Sequence, residues 1–218
     1  MNDFFDPSST SLKVCGVTQP HDAHQLIEES IPALGVNFWP KSKRFIPPHQ
    51  AAKFLKPIKN KILRVGVFVN ADPNQVLDLL ENDTIDVAQF HGDESPAYCA
   101  PFADANHPFI RALGVKDATS LTNLLDYRAT AILLDAHAPG VYGGTGEAFD
   151  WNLAKKVIQQ HPTLPILLAG GITAENAAQA TASVHPAALD LASGSESSPG
   201  IKDFNKIRAI QDAIHSAQ

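Results

Sequence analysis

Four side chains with reactive or charged tips fall where apolar runs of this chain give way to loops. Cys15 closes the run Leu12–Cys15 and precedes Gly16, and Asp135 follows Ile132-Leu133-Leu134. Arg44 ends the basic loop Lys41-Ser42-Lys43-Arg44, and His91 opens His91-Gly92-Asp93-Glu94. A thiol takes up a proton only as thiolate, and a free thiol titrates near ~8.5 unless positive surroundings lower it. Strand side chains repeat every two residues, so Lys13 shares the face of Cys15 and could supply that field, or could simply fill an interior. A carboxyl held protonated by apolar surroundings at Asp135 could donate to a sugar oxygen. Cys15 and Asp135 would then form an acid–base pair. Read singly, Cys15 fits better as a small buried hydrophobe and Asp135 as a loop cap. Only their convergence with the other loops makes a site.

Two further loops point to an anion. Gly170-Gly171 and Ser193-Gly194 follow the last two apolar runs. Glycines let backbone N–H groups approach a phosphate, and a helix N-terminus adds partial positive charge. A short helix over residues 196–198 would serve that purpose. Gly143-Gly144-Thr145-Gly146 lacks the lysine of the nucleoside-triphosphate loop and the spacing of the dinucleotide fingerprint. It reads as a mobile flap over the sugar.

The elements that must position these groups recur regularly. Apolar runs span residues 12–15, 33–38, 62–69, 85–90, 109–113, 131–134, 165–169 and 187–192. Continuous rather than alternating hydrophobicity marks strands covered on both faces, as in parallel sheets. Three- and four-residue apolar spacing between them predicts helices over 20–30, 48–58, 73–80, 95–103, 117–127, 149–160, 174–182 and 203–215. Thr18 is placed to cap the first helix and Asp72 the third. Eight strand–helix units match an α/β fold of a single (β/α)8 barrel, whose catalytic groups sit at the carboxyl ends of the strands. A doubly wound open sheet is the main rival and seldom needs eight regular units. Residues 12–218 read as one barrel domain and residues 1–11 as a loose N-terminal leader.

Composition narrows the function classes. The chain has 218 residues, 44% of them hydrophobic and 18% charged, which suits an ordered globular domain. A net charge of -6 argues against a general nucleic-acid binder and leaves room for a local basic pocket. No run approaches the ~18 apolar residues of a membrane span, and the first residues lack the pattern of a signal peptide. The two cysteines, Cys15 and Cys99, have neither zinc spacing nor a disulfide framework, which fits a reducing cytoplasm.

The ordered motifs resemble one family. Lys13-Val14-Cys15-Gly16-Val17-Thr18, Pro40-Lys41-Ser42-Lys43-Arg44, Val65-Gly66-Val67-Phe68, Gln89-Phe90-His91-Gly92 and Leu133-Leu134-Asp135 occur in turn. Gly143-Gly144-Thr145-Gly146 with Phe149-Asp150-Trp151, Ala169-Gly170-Gly171, and Ser193-Gly194 with Gly200-Ile201-Lys202-Asp203 complete the series. Over roughly residues 12–210 the chain is similar to phosphoribosylanthranilate isomerases of tryptophan biosynthesis. The resemblance implies an Amadori rearrangement of a small phosphorylated substrate without metal or organic cofactor. It implies Asp135 as general acid, Cys15 as general base, Arg44 on the anthranilate carboxylate and His91 near the substrate. Gly170, Gly171, Ser193 and Gly194 would hold the phosphate. A monomer or homodimer with no nucleic-acid or membrane partner is expected. Val36, Pro32 and Ser195 depart from the family pattern, and Ser195 bears on the phosphate loop. The rivals are another phosphate-binding barrel, such as indole-glycerol-phosphate synthase, and a non-catalytic binding protein. The first relies on strand-borne lysine and glutamate; the second needs neither Cys15 nor Asp135.

Overall fold

The computed structural model describes residues 3–136 and 150–218. The apolar runs form eight parallel strands: β1 (Ser11–Cys15), β2 (Ala33–Asn37), β3 (Leu63–Phe68), β4 (Val87–Phe90), β5 (Phe109–Val115), β6 (Ala131–Ala136), β7 (Ile166–Leu168) and β8 (Ala188–Leu191). Each pairs with its neighbour in sequence, and β8 closes the barrel on β1, with Lys13 opposite Asp190. The outer ring holds α1 (Pro20–Glu28), α2 (Pro48–Leu55), α3 (Pro73–Glu81), α4 (Pro96–Asp104), α5 (Trp151–Gln160), α6 (Ala174–Val184) and α7 (Phe204–His215). The fold is the (β/α)8 barrel that the eight runs predict.

The two-residue period of each strand sorts its side chains between two cores. On β6, Ile132 and Leu134 pack outward against the helices, whereas Ala131 and Leu133 face the barrel interior. Asp135 continues the inward set. The same parity turns Lys13 and Cys15 inward on β1, because Leu12 and Val14 belong to the outer core. It turns Gln89 inward on β4, after Val87, and Asp190 inward on β8, after Ala188. The interior is thus apolar toward the amino ends of the strands and polar toward their carboxyl ends.

Three expectations need correction. Over its described residues the leader is not loose: Phe4 is 1% exposed and joins Ala33, Val65, Val87 and Leu167 in the inner core, closing the amino-end mouth of the barrel. The span 117–127 is not an α-helix but two 3₁₀ turns, Ala118–Leu121 and Leu124–Tyr127. Its short polar side chains take over the backbone groups a helix would use: Asp117 accepts from the Thr119 N–H, and Thr122 donates to the Thr119 carbonyl. Thr18 does not cap α1. Its hydroxyl instead donates to the Gly200 carbonyl at 2.8 Å, tying the loop after β1 to the loop after β8. Asp72 does cap α3, accepting from the Asn74 N–H at 2.9 Å.

Candidate active site

The carboxyl ends of the strands open on a cavity of about 570 Å³. Cys15, Arg44, His91, Asp135, Gly170, Gly171, Ser193 and Gly194 all line it, so strand ends far apart in sequence share one face. The glycine-rich stretch 140–146, with the flap proposed within it, lies outside the described residues.

Cys15 lies among buried charges. The Lys13 ammonium, fully buried, pairs with Asp190 at 2.8 Å and also reaches the Cys15 sulfur. Burial alone would lower the Lys13 pKa, but Asp190 and Cys15 together outweigh it and raise it, so Lys13 stays charged. Burial pushes the Cys15 thiol up, opposed by Lys13 and Lys202 and reinforced by Asp190. Space for the sulfur comes from Gly35 on β2, where a Cβ would stand 2.8 Å from Sγ. Nothing larger than glycine fits there without moving the thiol.

Behind this group, Glu196 gathers two cations. Arg44 donates from Nε at 2.8 Å and from Nη2 at 2.6 Å, and Lys202 Nζ lies 2.8 Å from Oε1. Lys202 also donates to the Cys15 carbonyl at 2.6 Å. Burial would raise the Glu196 carboxyl, but its two cations prevail and lower it. Burial lowers Lys202, which shares its one carboxylate with Arg44. The residues expected to form a helix, 196–198, are instead β9 (Glu196–Ser198), paired antiparallel with β10 (Ile201–Lys202). The hairpin puts Glu196 and Lys202 on its buried side, with Ser197, Ser198 and Ile201 exposed. A 3₁₀ turn does occur, over Ser193–Ser195.

Across the mouth, Asp135 is 4% exposed. Its Oδ1 accepts from the Ala136 N–H at 2.8 Å, and its Oδ2 lies 3.3 Å from His91 Nε2. The apolar surroundings read from Ile132-Leu133-Leu134 therefore account for only part of its setting. His91 is held from behind: its N–H donates to the Phe68 carbonyl, and its Nδ1 meets Gln89 Nε2 at 3.1 Å. Arg111 clamps the same loop, donating to the carbonyls of Phe90 and Gly92.

The two glycine loops touch. A Cβ at Gly194 would collide with the Ile172 carbonyl, so only glycine allows the loops after β7 and β8 to pack this closely. Asn176 accepts from the Thr173 N–H and donates to the Gly171 carbonyl at 2.7 Å, fixing the start of α6 and occupying that carbonyl. Neither Gly171 nor Gly194 donates its N–H to a carbonyl among the described residues. Ser195 is fully buried and donates to the Ala192 carbonyl, so its hydroxyl is already engaged within the turn. Among the described residues, no group of three His, Cys, Asp or Glu could hold a metal ion, and no helix is long and apolar enough to cross a membrane.

Sequence reasoning passed over Gln89, Asp190, Glu196 and Lys202 as site residues. Asp190 carried a signal, being the charged residue of an apolar run at inward parity. Glu196 and Lys202 carried none, since the hairpin that joins them was not foreseen.

Comparison with known proteins matches residues 12–213 to the family described as N-(5'phosphoribosyl)anthranilate (PRA) isomerase. The N-(5'-phosphoribosyl)anthranilate isomerase of Citrifermentans bemidjiense is 42% identical over 92% of this chain and 95% of its own. That of Pseudomonas fluorescens is 40% identical over 95% of this chain and 99% of its own. The phosphoribosyl anthranilate isomerase structure from Thermotoga maritima aligns with a TM-score of 0.84 at 33% identity, covering 95% of this chain and 99% of that one. Another solved isomerase, in complex with reduced 1-(o-carboxyphenylamino)-1-deoxyribulose 5-phosphate, aligns at 0.81 with 32% identity over 95% of this chain and 99% of that one.

Proposed function

The chain belongs to the N-(5'-phosphoribosyl)anthranilate isomerase family, and on that premise we propose how its barrel mouth carries out the reaction. The activity is the isomerisation of N-(5-phosphoribosyl)anthranilate to 1-(2-carboxyphenylamino)-1-deoxyribulose 5-phosphate in tryptophan biosynthesis. Asp135 acts as general acid. It gives its proton to the ribose ring oxygen as the C1–O bond breaks and the amine nitrogen forms a Schiff base to C1. Cys15, as thiolate, removes the proton from C2 to give an enolamine. C1 then gains a proton while the C2 hydroxyl loses one, leaving the ketone with no atom gained or lost overall.

The observation that carries this reading is that a buried thiol among cations and a buried carboxyl beside an amide N–H and an imidazole line one cavity. The phosphate would sit against Gly170, Gly171, Ser193 and Gly194, which line the cavity in the loops after β7 and β8. Arg44 would receive the anthranilate carboxylate. Nε and Nη2 are taken by Glu196, so Nη1 and the outer edge of the guanidinium remain for that contact. His91 would border the reacting sugar through its contact with Asp135.

The same reading places the enzyme in a cytoplasm, as a monomer or homodimer acting on a small phosphorylated substrate without metal or organic cofactor. Cys15 and Cys99 are both free thiols, in keeping with a reducing compartment. One solved Thermotoga maritima relative is described as monomers generated from a dimeric isomerase. The direct test is the fluorescence change of freshly made phosphoribosylanthranilate on addition of the purified protein. A rate no higher than that of heat-killed protein would overturn the assignment in favour of a non-catalytic binding barrel.

A further inference from the structure

Gln89 is fully buried on β4, lines the cavity, and has had no task so far. Its amide is used at one end only. Nε2 lies 3.1 Å from His91 Nδ1, whereas Oε1, equally buried, has no hydrogen-bond partner among the described residues. A buried amide oxygen left unpaired costs roughly 1–3 kcal/mol, so such an orphan on a residue that lines the cavity marks the place of a missing donor.

We propose that Gln89 is a positioning residue that fixes the tautomer of His91 toward Asp135 with its amide N–H and receives a substrate hydroxyl or N–H on its free carbonyl. The inference rests on the assignment of Asp135 as the acid. An amide nitrogen only donates, so His91 Nδ1 must accept, and the proton of the neutral ring then belongs to Nε2. That nitrogen is the one 3.3 Å from Asp135 Oδ2. When Asp135 gives up its proton, the new carboxylate finds an N–H already aimed at it. The opposite placement would put a lone pair of Nε2 against a carboxylate oxygen. The backbone around His91 is otherwise set. Its N–H donates to Phe68, Arg111 holds the carbonyls of Phe90 and Gly92, and Glu94 accepts the Gly92 N–H at 2.8 Å. What the clamp leaves open is the side of the ring that carries the proton, and Gln89 decides it.

The proposal is read from long-range proton–nitrogen spectra of ¹⁵N-histidine protein without substrate. The His91 ring is assigned among the nine histidines by its loss in His91→Gln. The expected wild-type signature is an unprotonated Nδ1 and a protonated Nε2; a ring protonated at Nδ1 instead overturns the inference with no variant needed. Gln89→Leu, of similar volume, should mix the tautomers, lower kcat about tenfold and raise KM, as small misplacements of a reacting group do. Gln89→Glu keeps an acceptor for substrate but draws a proton onto Nδ1, so kcat should fall while KM stays nearer the wild-type value. Folded variants that retain both the wild-type tautomer and wild-type kcat would refute it. The spectra need no turnover, so an inactive wild-type protein would remove the functional reading while leaving the His91 result legible.

Discussion

The two walls of the barrel mouth solve opposite acid–base problems. Around Cys15, the chain gathers Lys13, Lys202 and Arg44 against Asp190 and Glu196, all with little exposure. Three positive and two negative groups leave one positive charge, which a thiolate would balance. Around Asp135, the partners among the described residues are an amide N–H and an imidazole. A buried thiol is a weak acid and needs cations before it can serve as a base. A carboxyl is already a strong acid, and a lysine beside it would hold it ionised and unable to donate. Dense charge on one wall, and on the other hydrogen bonds without a lysine or arginine, are therefore what an acid–base pair of these two residue types requires.

The most severe way to break this comparison is to remove either member. Cys15→Ala and Asp135→Asn should each lower turnover by about 10²–10⁴-fold, the usual contribution of a general acid or base. The fold should persist in both, measured by circular dichroism beside the kinetics. Near wild-type turnover in either would withdraw that residue's role. Next in size is Arg44→Ala, which should raise KM by about 10- to 100-fold with a smaller change in kcat, the scale of a lost charge-assisted hydrogen bond. Arg44→Lys should recover little. One ammonium cannot meet both oxygens of Glu196 and still reach a ligand, as the guanidinium can. An unchanged KM in Arg44→Ala would exclude carboxylate pairing.

The contrast between the walls was unevenly legible in the sequence. Cys15 and Asp135 stood out because each ends an apolar run, and strand parity alone turns Lys13 and Cys15 to one face. The eight runs sufficed for the barrel, since continuous hydrophobicity requires cover on both faces. The partners that tune the base were hidden. Arg44 and Glu196 are separated by 152 positions and meet only through barrel closure and the hairpin after β8. Phe4 was equally hidden, because two adjacent phenylalanines in a polar leader carry no period to place them. In 117–127, apolar spacing suggested a helix, but side-chain hydrogen bonds to the backbone prevailed over it.

The smallest expected effect tests the charge balance itself. Lys202 touches Cys15 only through the backbone carbonyl, yet its charge lowers the thiol pKa. Lys202→Met removes one of three cations and leaves Glu196 paired with Arg44, so the wall loses its net positive charge while its second ion pair survives. Because burial already holds the Cys15 thiol above its ordinary value, the thiolate ultraviolet absorbance that Cys15→Ala abolishes should grow in the wild type only as pH rises past the usual thiol range. In Lys202→Met that absorbance limb should move to still higher pH, and kcat/KM at neutral pH should fall severalfold with the thiolate population. The stability term follows the same shift. A thiol whose pKa is raised in the folded state favours folding below the unfolded thiol pKa and loses that contribution as pH rises through the folded value. Alkaline solution should therefore favour the thiolate while it weakens the fold. Should the limb stay in place without Lys202, the thiolate is set by Lys13 alone, and the charge count above no longer describes the base wall.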